Sequence, residues 1–347
     1  MKKIVHVIDS LQKGGAESLL VSNLKSLDKY ENIVITLTAK NDYKSEVSNF
    51  DIYCLDYKLA SFLSAVKKLK SLLESLKPDV VHSHLFWSNL VLKFATRKPS
   101  SLKVFYTNHT MLSFEAFKRI HYVYLEKWAN RDHHHLISVS KTVEEDYKKF
   151  VTVSNSSVLY NFVPDYFFGK PKSFDRSSGR LKCVAVGTNK YAKNYPFIVN
   201  NFTSNLNITL DIYGRDDTES SLQKLVDNRK VNNVRYHGQS DSISEELKKY
   251  DLFILGSIYE GQPISALEAM ATGMPVLFSD IPVLKEAGGH AAIYFNSHEL
   301  NDLSSKLESA LVGYIDLNTK SQLCFARANE LARKEVHIST LEKLYES

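Results

Sequence analysis

Short runs of apolar residues, rich in valine and isoleucine, alternate along the chain with longer amphipathic stretches. The short runs are typical of buried strands, and the amphipathic stretches predict helices with one apolar face. The first half of the chain predicts strands near residues 3–8, 32–37, 79–83, 103–107, 135–139 and 156–160. It predicts helices near residues 15–28, 60–76, 113–130 and 141–150. Strands that alternate with helices indicate βαβ units and a parallel sheet.

The alternation stops at residues 161–180, where prolines and glycines accompany polar residues, a composition typical of a linker. A second series follows, with strands predicted near residues 181–186, 208–213, 234–237, 251–255, 275–278 and 291–295. Its helices are predicted near residues 194–203, 218–229, 243–249, 263–272 and 299–312. The last stretch, about 317–346, predicts a long helix rich in charge.

The two series predict an α/β protein with two doubly wound, Rossmann-like domains that face each other across a cleft. We expect an N-terminal domain over residues 1–165, a linker over 166–180 and a C-terminal domain over 181–316. Residues 317–347 are expected to form a C-terminal helix that could pack back on the N-terminal domain. Ligands of open parallel sheets bind beyond the carboxyl ends of the strands, so the loops after the strands should carry the function.

Composition indicates a globular protein of the reduced cytoplasm. The 347 residues are 44% hydrophobic and 24% charged, and no run reaches the roughly 18 apolar residues that span a bilayer. The opening apolar run is short and contains His6 and Asp9, which favours a buried strand over a signal peptide. Cys54, Cys183 and Cys324 are odd in number and far apart, without metal-binding spacing.

Two segments could bind an anion through backbone N–H groups. Gly14 and Gly15 lie in a loop between a predicted strand and a predicted helix, where glycine lets the backbone approach a phosphate. Pro263 suits the first turn of a helix, so the N–H groups near Ile264 and Ser265 should be free there. A Gly-Gly pair alone is equally consistent with an ordinary tight turn.

The segment 256–273 also carries a pair of carboxylates. Glu260 and Glu268 are eight positions apart, one before the predicted helix and one inside it. A carboxylate accepts hydrogen bonds from sugar hydroxyls, so one segment could hold ribose, phosphate and a transferred sugar. Spacing alone leaves a solvated pair of glutamates on an amphipathic helix equally open.

Motifs along nearly the whole chain resemble those of the retaining glycosyltransferases of family four, which have the GT-B fold and an E-x7-E motif. Residues 260–268 resemble that motif. The other matching stretches are HVIDSLQKGGAE at 6–17, PDVVHSH at 78–84, YTNHT at 106–110, LEKWANRDHHHLISVSKTV at 125–143, YNFVP at 160–164, YHGQ at 236–239, YDLFILGSIYEG at 250–261 and MPVLFSD at 274–280.

The resemblance implies a metal-independent transferase that moves a sugar from a nucleotide-sugar, by family habit a UDP-sugar, to a saccharide or lipid-linked saccharide in bacterial surface polysaccharide or glycoconjugate synthesis. It implies that Lys193 stabilises the departing diphosphate, that Glu260 orients the sugar, and that His109 contacts the sugar and shields its positive charge. The donor-binding residues that it implies are Gly14, Gly15, Lys190, Gly238, Gly261, Gln262, Pro263, Ile264, Ser265 and Glu268.

One position departs from the family pattern. Thr188 stands where an arginine is usual, and Lys190 could replace its charge, although lysine lacks the bidentate geometry of arginine. Two alternatives therefore stay open: a nucleotide-sugar epimerase, which needs no acceptor, and a non-catalytic subunit that only binds sugar nucleotides.

No metal or other cofactor is expected, because the nucleotide-sugar is a substrate and the sequence has no Asp-x-Asp pair. His82 and His84 are expected to point to opposite faces of a strand, and the side chains of residues 133–135 to diverge. We therefore expect structural roles for these histidines.

The net positive charge of the protein is concentrated in the first half of the chain, which could attract an anionic partner. Residues 1–165 hold 23 Lys and Arg against 17 Asp and Glu, a net of +6. We expect no nucleic-acid partner, but a cytoplasmic enzyme that visits anionic membrane reversibly. Two segments are candidates for the contact: residues 63–77, with Lys67, Lys68, Lys70 and Lys77, and residues 113–131, with Lys118, Arg119, Lys127 and Arg131 beside Phe114, Phe117, Tyr122, Tyr124 and Trp128. Ordinary helices with solvated lysines are the alternative.

Overall fold

The computed structural model describes residues 1–58, 61–114, 120–174, 178–216, 221–229, 232–299 and 301–347. The chain divides into two compact units. The first unit contains Met1–Asn161 together with Glu335–Ser347, and the second contains Phe162–Lys334. Each unit has its own parallel sheet.

The sheet of the first unit has the strand order β3-β2-β1-β4-β5-β6-β7. Its strands are β1 (Lys3–Ile8), β2 (Glu31–Thr36), β3 (Asp51–Cys54), β4 (Val80–His84), β5 (Lys103–Asn108), β6 (His134–Ser138) and β7 (Asn155–Val158). The helices that accompany them are α1 (Gly15–Leu24), α2 (Phe62–Leu76), α3 (Phe86–Ala95), α4 (His121–Ala129) and α5 (Lys141–Lys148). Strands β1 and β4 are buried along almost their whole length, because helices cover both faces of a doubly wound sheet.

The sheet of the second unit has the order β10-β9-β8-β11-β12-β13. Its strands are β8 (Leu181–Val186), β9 (Ile208–Tyr213), β10 (Val234–Gly238), β11 (Leu252–Leu255), β12 (Val276–Ser279) and β13 (Ile293–Phe295). The helices are α6 (Tyr195–Asn201), α7 (Leu222–Asn228), α8 (Ile243–Leu247), α9 (Ile264–Ala271), α10 (Pro282–Gly288), α11 (Asp302–Val312) and α12 (Leu317–Leu331). Two parallel, Rossmann-like sheets are thus confirmed, and the loops after the strands meet at one edge of each sheet.

The last stretch of the chain is two helices rather than the single long helix that its charge pattern predicts. Helix α12 ends at Leu331, and α13 (Lys334–Glu346) belongs to the first unit. Leu341 and Tyr345 of α13 pack in a cluster that includes Val80. The break carries neither glycine nor proline, so the sequence gives no local sign of it.

Residues 166–180, expected as a linker, are packed against the second unit over much of their described part. Phe167 is buried in the core, and the N–H of Gly169 donates to the carbonyl of Ala271 at 3.0 Å. The Lys172 ammonium donates to three carbonyls at the end of α8, including that of Tyr250 at 2.5 Å. Proline and glycine mark turns here, but Phe167 is buried between them and Phe168 packs against the same core, while Tyr166 stays exposed.

The described helices can be compared with the requirements for a membrane-spanning helix. None of them combines the length and the apolar character that a bilayer span requires. Of the helix predicted over residues 113–130, residues 113–114 and α4 are described as helical; Phe117, Lys118 and Arg119 lie outside the described residues.

Candidate active site

An ion pair between Lys193 and Glu260 is the centre of the candidate site in the second unit. The Nζ atom of Lys193 lies 2.7 Å from Oε1 of Glu260, and the two side chains are only 17% and 13% exposed. The hydroxyl of Ser257 donates to the same oxygen at 2.6 Å. Because both charges are largely shielded from water, the pair holds Glu260 in one orientation.

The loops after two neighbouring strands bring this pair together. Lys193 ends a 3₁₀ turn in the loop after β8, and Glu260 follows β11, which pairs with β8. The N–H of Ile258 donates to the carbonyl of Ala192 at 2.9 Å and joins the two loops. A Cβ atom on Gly187 would lie 2.9 Å from Cε of Lys193, so glycine leaves room for the lysine side chain. This location is the carboxyl edge of the sheet, as expected from the sequence.

Glu268 is the second carboxylate that Lys193 influences. It lies in α9 and is largely buried, and this burial raises its pKa to about 7. The positive charge of Lys193 opposes that rise. The two glutamates of the spacing motif are therefore both within the electrostatic reach of one lysine. Burial has removed most of the water that would solvate this carboxyl group. Hydrogen bonds from a bound ligand would replace that hydration.

The start of α9 differs in one detail from the prediction. Pro263 precedes the helix, and its carbonyl accepts hydrogen bonds from the N–H groups of Ala266 and Leu267 at 3.0 and 3.1 Å. The N–H of Ile264, expected to be free, instead donates to the carbonyl of Gln262 at 3.0 Å. The tight turn at Pro263 therefore occupies the N–H of Ile264. An anion at this helix start would have to bind other parts of the turn, which includes Ser265 and Gly261.

The remaining donor-side residues of the second unit lie at the same edge of the sheet. Lys190 is exposed and precedes the 3₁₀ turn that contains Lys193. Thr188 is half-buried beside Gly187. Gly238 ends β10 with a φ of +74°, a conformation that favours glycine, and its carbonyl accepts from Gly214 at 2.8 Å.

His109 belongs to the first unit and follows β5. Its Nε2 atom has no hydrogen-bond partner among the described residues, and it lines a small cavity of about 50 Å³. Burial, with a smaller effect of His337, lowers the pKa of His109 to about 4. The imidazole is therefore neutral at neutral pH and has a ring nitrogen available for a ligand.

Gly14 and Gly15 also belong to the first unit and are exposed at the start of α1. Gly14 has an extended backbone with φ −160°, and no side chain caps the helix there. A Cβ atom on Gly14 would collide with the carboxylate of Glu17. The preceding N–H, that of Lys13, is already occupied by Asp42 at 2.9 Å. The predicted site residues thus form two groups. Gly14, Gly15 and His109 lie in the first unit, and the others lie in the second.

The prediction for His82 and His84 was wrong. Residues two apart in a strand share a face, and the two rings lie 4.2 Å apart between centroids. With His6 they form a buried cluster whose ligand atoms lie within 4.8 Å of one another, a set that could hold a metal ion. However, both ring nitrogens of His82 are occupied, by Tyr345 and by Thr107, each at 2.6 Å. The expectation that no metal is needed stays a prediction.

Sequence reasoning missed the residues that support the site. Ser257 fixes Glu260 by its hydroxyl and is in turn held by Ser279, which donates to its carbonyl at 2.6 Å. The hydroxyl of Tyr195 donates to the carbonyl of Gly187 at 3.0 Å. In sequence these are ordinary serines and an ordinary tyrosine, and only their positions at strand ends could have drawn attention to them.

Comparison with known proteins identifies the enzyme class. The family described as "Glycosyltransferase Family 4" matches residues 13–165, and "Glycosyl transferases group 1" matches residues 170–320. The chain is 27% identical to the O-antigen chain mannosyltransferase RfbU of Salmonella typhimurium, over 67% of this chain and 71% of that protein. It is 26% identical to an Escherichia coli UDP-Gal:α-D-GlcNAc-diphosphoundecaprenol α-1,3-galactosyltransferase, over 78% and 76% of the two chains.

A solved structure supports the fold. The protein HepE of Anabaena, in complex with UDP-glucose, superposes with a TM-score of 0.81 at 16% identity and covers 99% of both chains. The two family matches together span most of the sequence, and each coincides with one of the two sheet-based units. The chain is therefore a glycosyltransferase with the GT-B fold.

Proposed function

We propose that the protein is a retaining, metal-independent glycosyltransferase that moves a sugar from a UDP-sugar to a saccharide or lipid-linked saccharide. The observation that carries the proposal is the position of Lys193, which pairs with Glu260 and acts on the pKa of Glu268. A cation that pairs with one carboxylate and acts electrostatically on a second, at the carboxyl edge of a Rossmann-like sheet, suits a donor that has both an anionic diphosphate and hydroxyl-rich groups.

In this proposal negative charge grows on the diphosphate as the sugar–phosphate bond breaks. Lys193 stabilises that charge, with Lys190 and the turn before α9 as secondary contributors. In the free protein Glu260 already neutralises Lys193, so the diphosphate takes over part of an existing ion pair. The lysine is therefore oriented before the donor arrives, which lowers the cost of reorganisation during the reaction.

The carboxylates and His109 recognise the hydroxyl-bearing parts of the substrates. Glu268 accepts hydrogen bonds from the ribose, while Glu260 and the backbone of Gly261 and Gln262 orient the transferred sugar. His109, neutral because burial lowers its pKa, hydrogen-bonds the sugar through its free nitrogen without adding positive charge near the developing cation. The acceptor attacks on the face that the diphosphate leaves, which retains the anomeric configuration.

The choice of donor and process follows the relatives. The Escherichia coli relative uses UDP-Gal and an undecaprenol-linked acceptor by its name, and the HepE structure contains UDP-glucose. RfbU is named for mannosyl transfer to an O-antigen chain. We therefore propose a role in bacterial surface polysaccharide synthesis, in the cytoplasm, with reversible visits to the membrane where lipid-linked acceptors lie.

A thermal-shift panel of UDP-, GDP- and ADP-sugars, each with and without EDTA, tests this proposal. A ligand that binds only the folded state at a concentration of a hundred times its Kd stabilises it by about 2.7 kcal/mol. We expect UDP-sugars to raise the Tm, with no loss of the effect in EDTA. Stabilisation by GDP- or ADP-sugars alone would contradict the proposal that the donor is a UDP-sugar. A rise in Tm that EDTA abolishes would contradict metal independence.

A further inference from the structure

Helix α4 of the first unit has an apolar face that the core does not use. Ile120, Tyr124 and Trp128 are 60%, 65% and 57% exposed. They are spaced four residues apart and so lie along one side of the helix, which we call the apolar ridge. The opposite side of α4 already packs inward through Tyr122 and Val123. Among the described residues, the ridge therefore stays largely exposed to solvent.

Helix α2, the other basic segment with regularly spaced leucines, differs from α4 in this respect. Its Leu69 and Leu73 are buried in the core of the first unit, and Leu72 and Leu76 pack against that core. The apolar residues of α2 are thus explained by packing on the sheet, apart from Leu63 at its first turn, which is 70% exposed. Exposure of large apolar side chains at helical spacing distinguishes α4 from α2.

Basic residues adjoin the ridge. The guanidinium of Arg97 lies 4.3 Å from the centre of the Trp128 ring, and the Phe94 ring packs on the same tryptophan at 4.9 Å. Arg97 also lines an open cavity of about 930 Å³ at the amino edge of the first sheet, where β4 and β5 begin. The charged side chains around this basic cavity are Lys2, Lys70, Lys77, Arg97, Lys98 and Lys103, against Glu74 and Asp79.

Among the described residues, four of these six cations have no carboxylate that neutralises them. Lys2 pairs with Glu346 and Lys70 with Glu74, while the Lys103 ammonium donates to two carbonyls at the end of α13. Within the described part of the chain, the other three form no ion pair; they are Lys77, Arg97 and Lys98. An excess of unpaired positive charge, next to exposed aromatic rings, therefore persists at this surface.

We propose that the apolar ridge and the basic cavity together form the surface by which the protein docks on an anionic lipid bilayer. Tyrosine and tryptophan favour the boundary between headgroups and acyl chains, since each has an apolar ring and a polar edge. Lysine and arginine beside them attract the lipid phosphates. An open cavity with several cations admits more than one headgroup, whereas a protein partner would need a complementary acidic surface of matching shape.

This surface deepens the membrane visits included in the proposed function. The cavity lies at the amino ends of β4 and β5, whereas α4 connects the parallel strands β5 and β6 and therefore runs back from their carboxyl edge. The ridge thus extends from the cavity toward the edge where an acceptor would bind, and neither the ridge nor the cavity contains a proposed donor-binding residue. Loss of docking should consequently spare the binding of UDP-sugars in solution.

Co-sedimentation with vesicles tests the surface directly. The wild type should bind phosphatidylglycerol vesicles at low salt and bind neutral phosphatidylcholine vesicles far less, with binding lost as salt rises. The double variant Ile120→Ser/Tyr124→Ser should bind about tenfold more weakly. Neutralising Lys77 and Lys98 together should weaken binding by about 30-fold, which follows from about 1 kcal/mol for each cation.

A matched control comes from the second unit. Tyr314 is 89% exposed, so Tyr314→Ser removes an exposed aromatic residue outside the proposed surface and should bind vesicles like the wild type. Equal binding to neutral and anionic vesicles, or unchanged binding of the ridge variant, would overturn the proposal. So would displacement by excess inorganic phosphate at constant ionic strength, because the cavity would then be a site for free phosphate. Thermal shifts with UDP-sugars, measured on the same variants, test the donor site separately.

Discussion

Replacement of Glu268 by glutamine should stabilise the free enzyme and weaken its binding of nucleotide. Burial raises the pKa of this carboxyl from 4.5 to about 7. The folded protein therefore retains a proton that the unfolded chain releases as pH rises from about 4.5 to 7. Ionisation of Glu268 thus removes stability through this window, and the full cost applies above pH 7. Glutamine cannot ionise and avoids this cost.

The structure sets the size of the effect. The rise of this pKa from 4.5 to about 7 corresponds to at most about 3 kcal/mol. Glu268 retains some contact with solvent, and so we expect about 1–2 kcal/mol at pH 8.5. For a unit of this size that is roughly 3–6 °C in Tm, and the difference should vanish below about pH 4.5, where both side chains are neutral.

The affinity for nucleotide should fall in the Glu268→Gln variant, although its stability rises. A hydrogen bond to a charged group contributes about 1.5–3 kcal/mol, and glutamine keeps one carbonyl acceptor, so we expect about tenfold weaker binding of UDP. Calorimetry with UDP and thermal melts across pH measure the two effects on the same samples. Glu245→Gln is the control, since Glu245 is an exposed carboxylate of the second unit that pairs with Lys248 at the surface. Unchanged UDP affinity in a folded Glu268→Gln variant would refute the ribose assignment, and a lower Tm at pH 8.5 would refute the electrostatic reasoning.

The other predictions concern turnover. Lys193→Ala should lower kcat by about a hundredfold with a smaller change in KM, because its charge is needed most in the transition state; near wild-type turnover would mean that Lys190 or backbone groups suffice. His109→Ala should lower kcat while leaving UDP affinity unchanged, as measured by steady-state kinetics and calorimetry, and a loss of UDP binding would contradict its placement on the sugar. Since the pKa of His109 is about 4, no fall in wild-type kcat between pH 8 and 5.5 should come from this residue, and a fall that disappears in His109→Ala would contradict its neutral state.

The sequence predicted most of the fold because buried parallel strands are continuous apolar runs. It missed β3, an edge strand whose residues Asp51–Tyr53 are exposed and lack such a run. It also missed α3, whose polar residues Ser88, Asn89 and Lys93 face the interior of the unit rather than solvent, the reverse of an ordinary amphipathic helix. Both errors arise where tertiary packing replaces the local pattern as the determinant of structure.

The sequence could indicate residues of the candidate site where they lie close together in one segment, as Glu260 and Glu268 do. The pair of Lys193 with Glu260 joins residues 67 positions apart, and only the adjacency of β8 and β11 brings them together. The pKa of Glu268 likewise depends on burial by residues distant in sequence. The histidine cluster could have been anticipated, because the period of a strand places His82 and His84 on the same face.

The proposed reaction is tested most directly by a transfer assay in EDTA with an α-linked UDP-sugar and a lipid-linked saccharide, followed by NMR of the anomeric proton of the product. We expect an elongated acceptor with an α-linkage, formed without metal. A β-linked product would contradict retention. A requirement for added metal would contradict metal independence, and recovery of an epimerised UDP-sugar with an unchanged acceptor would contradict transfer itself.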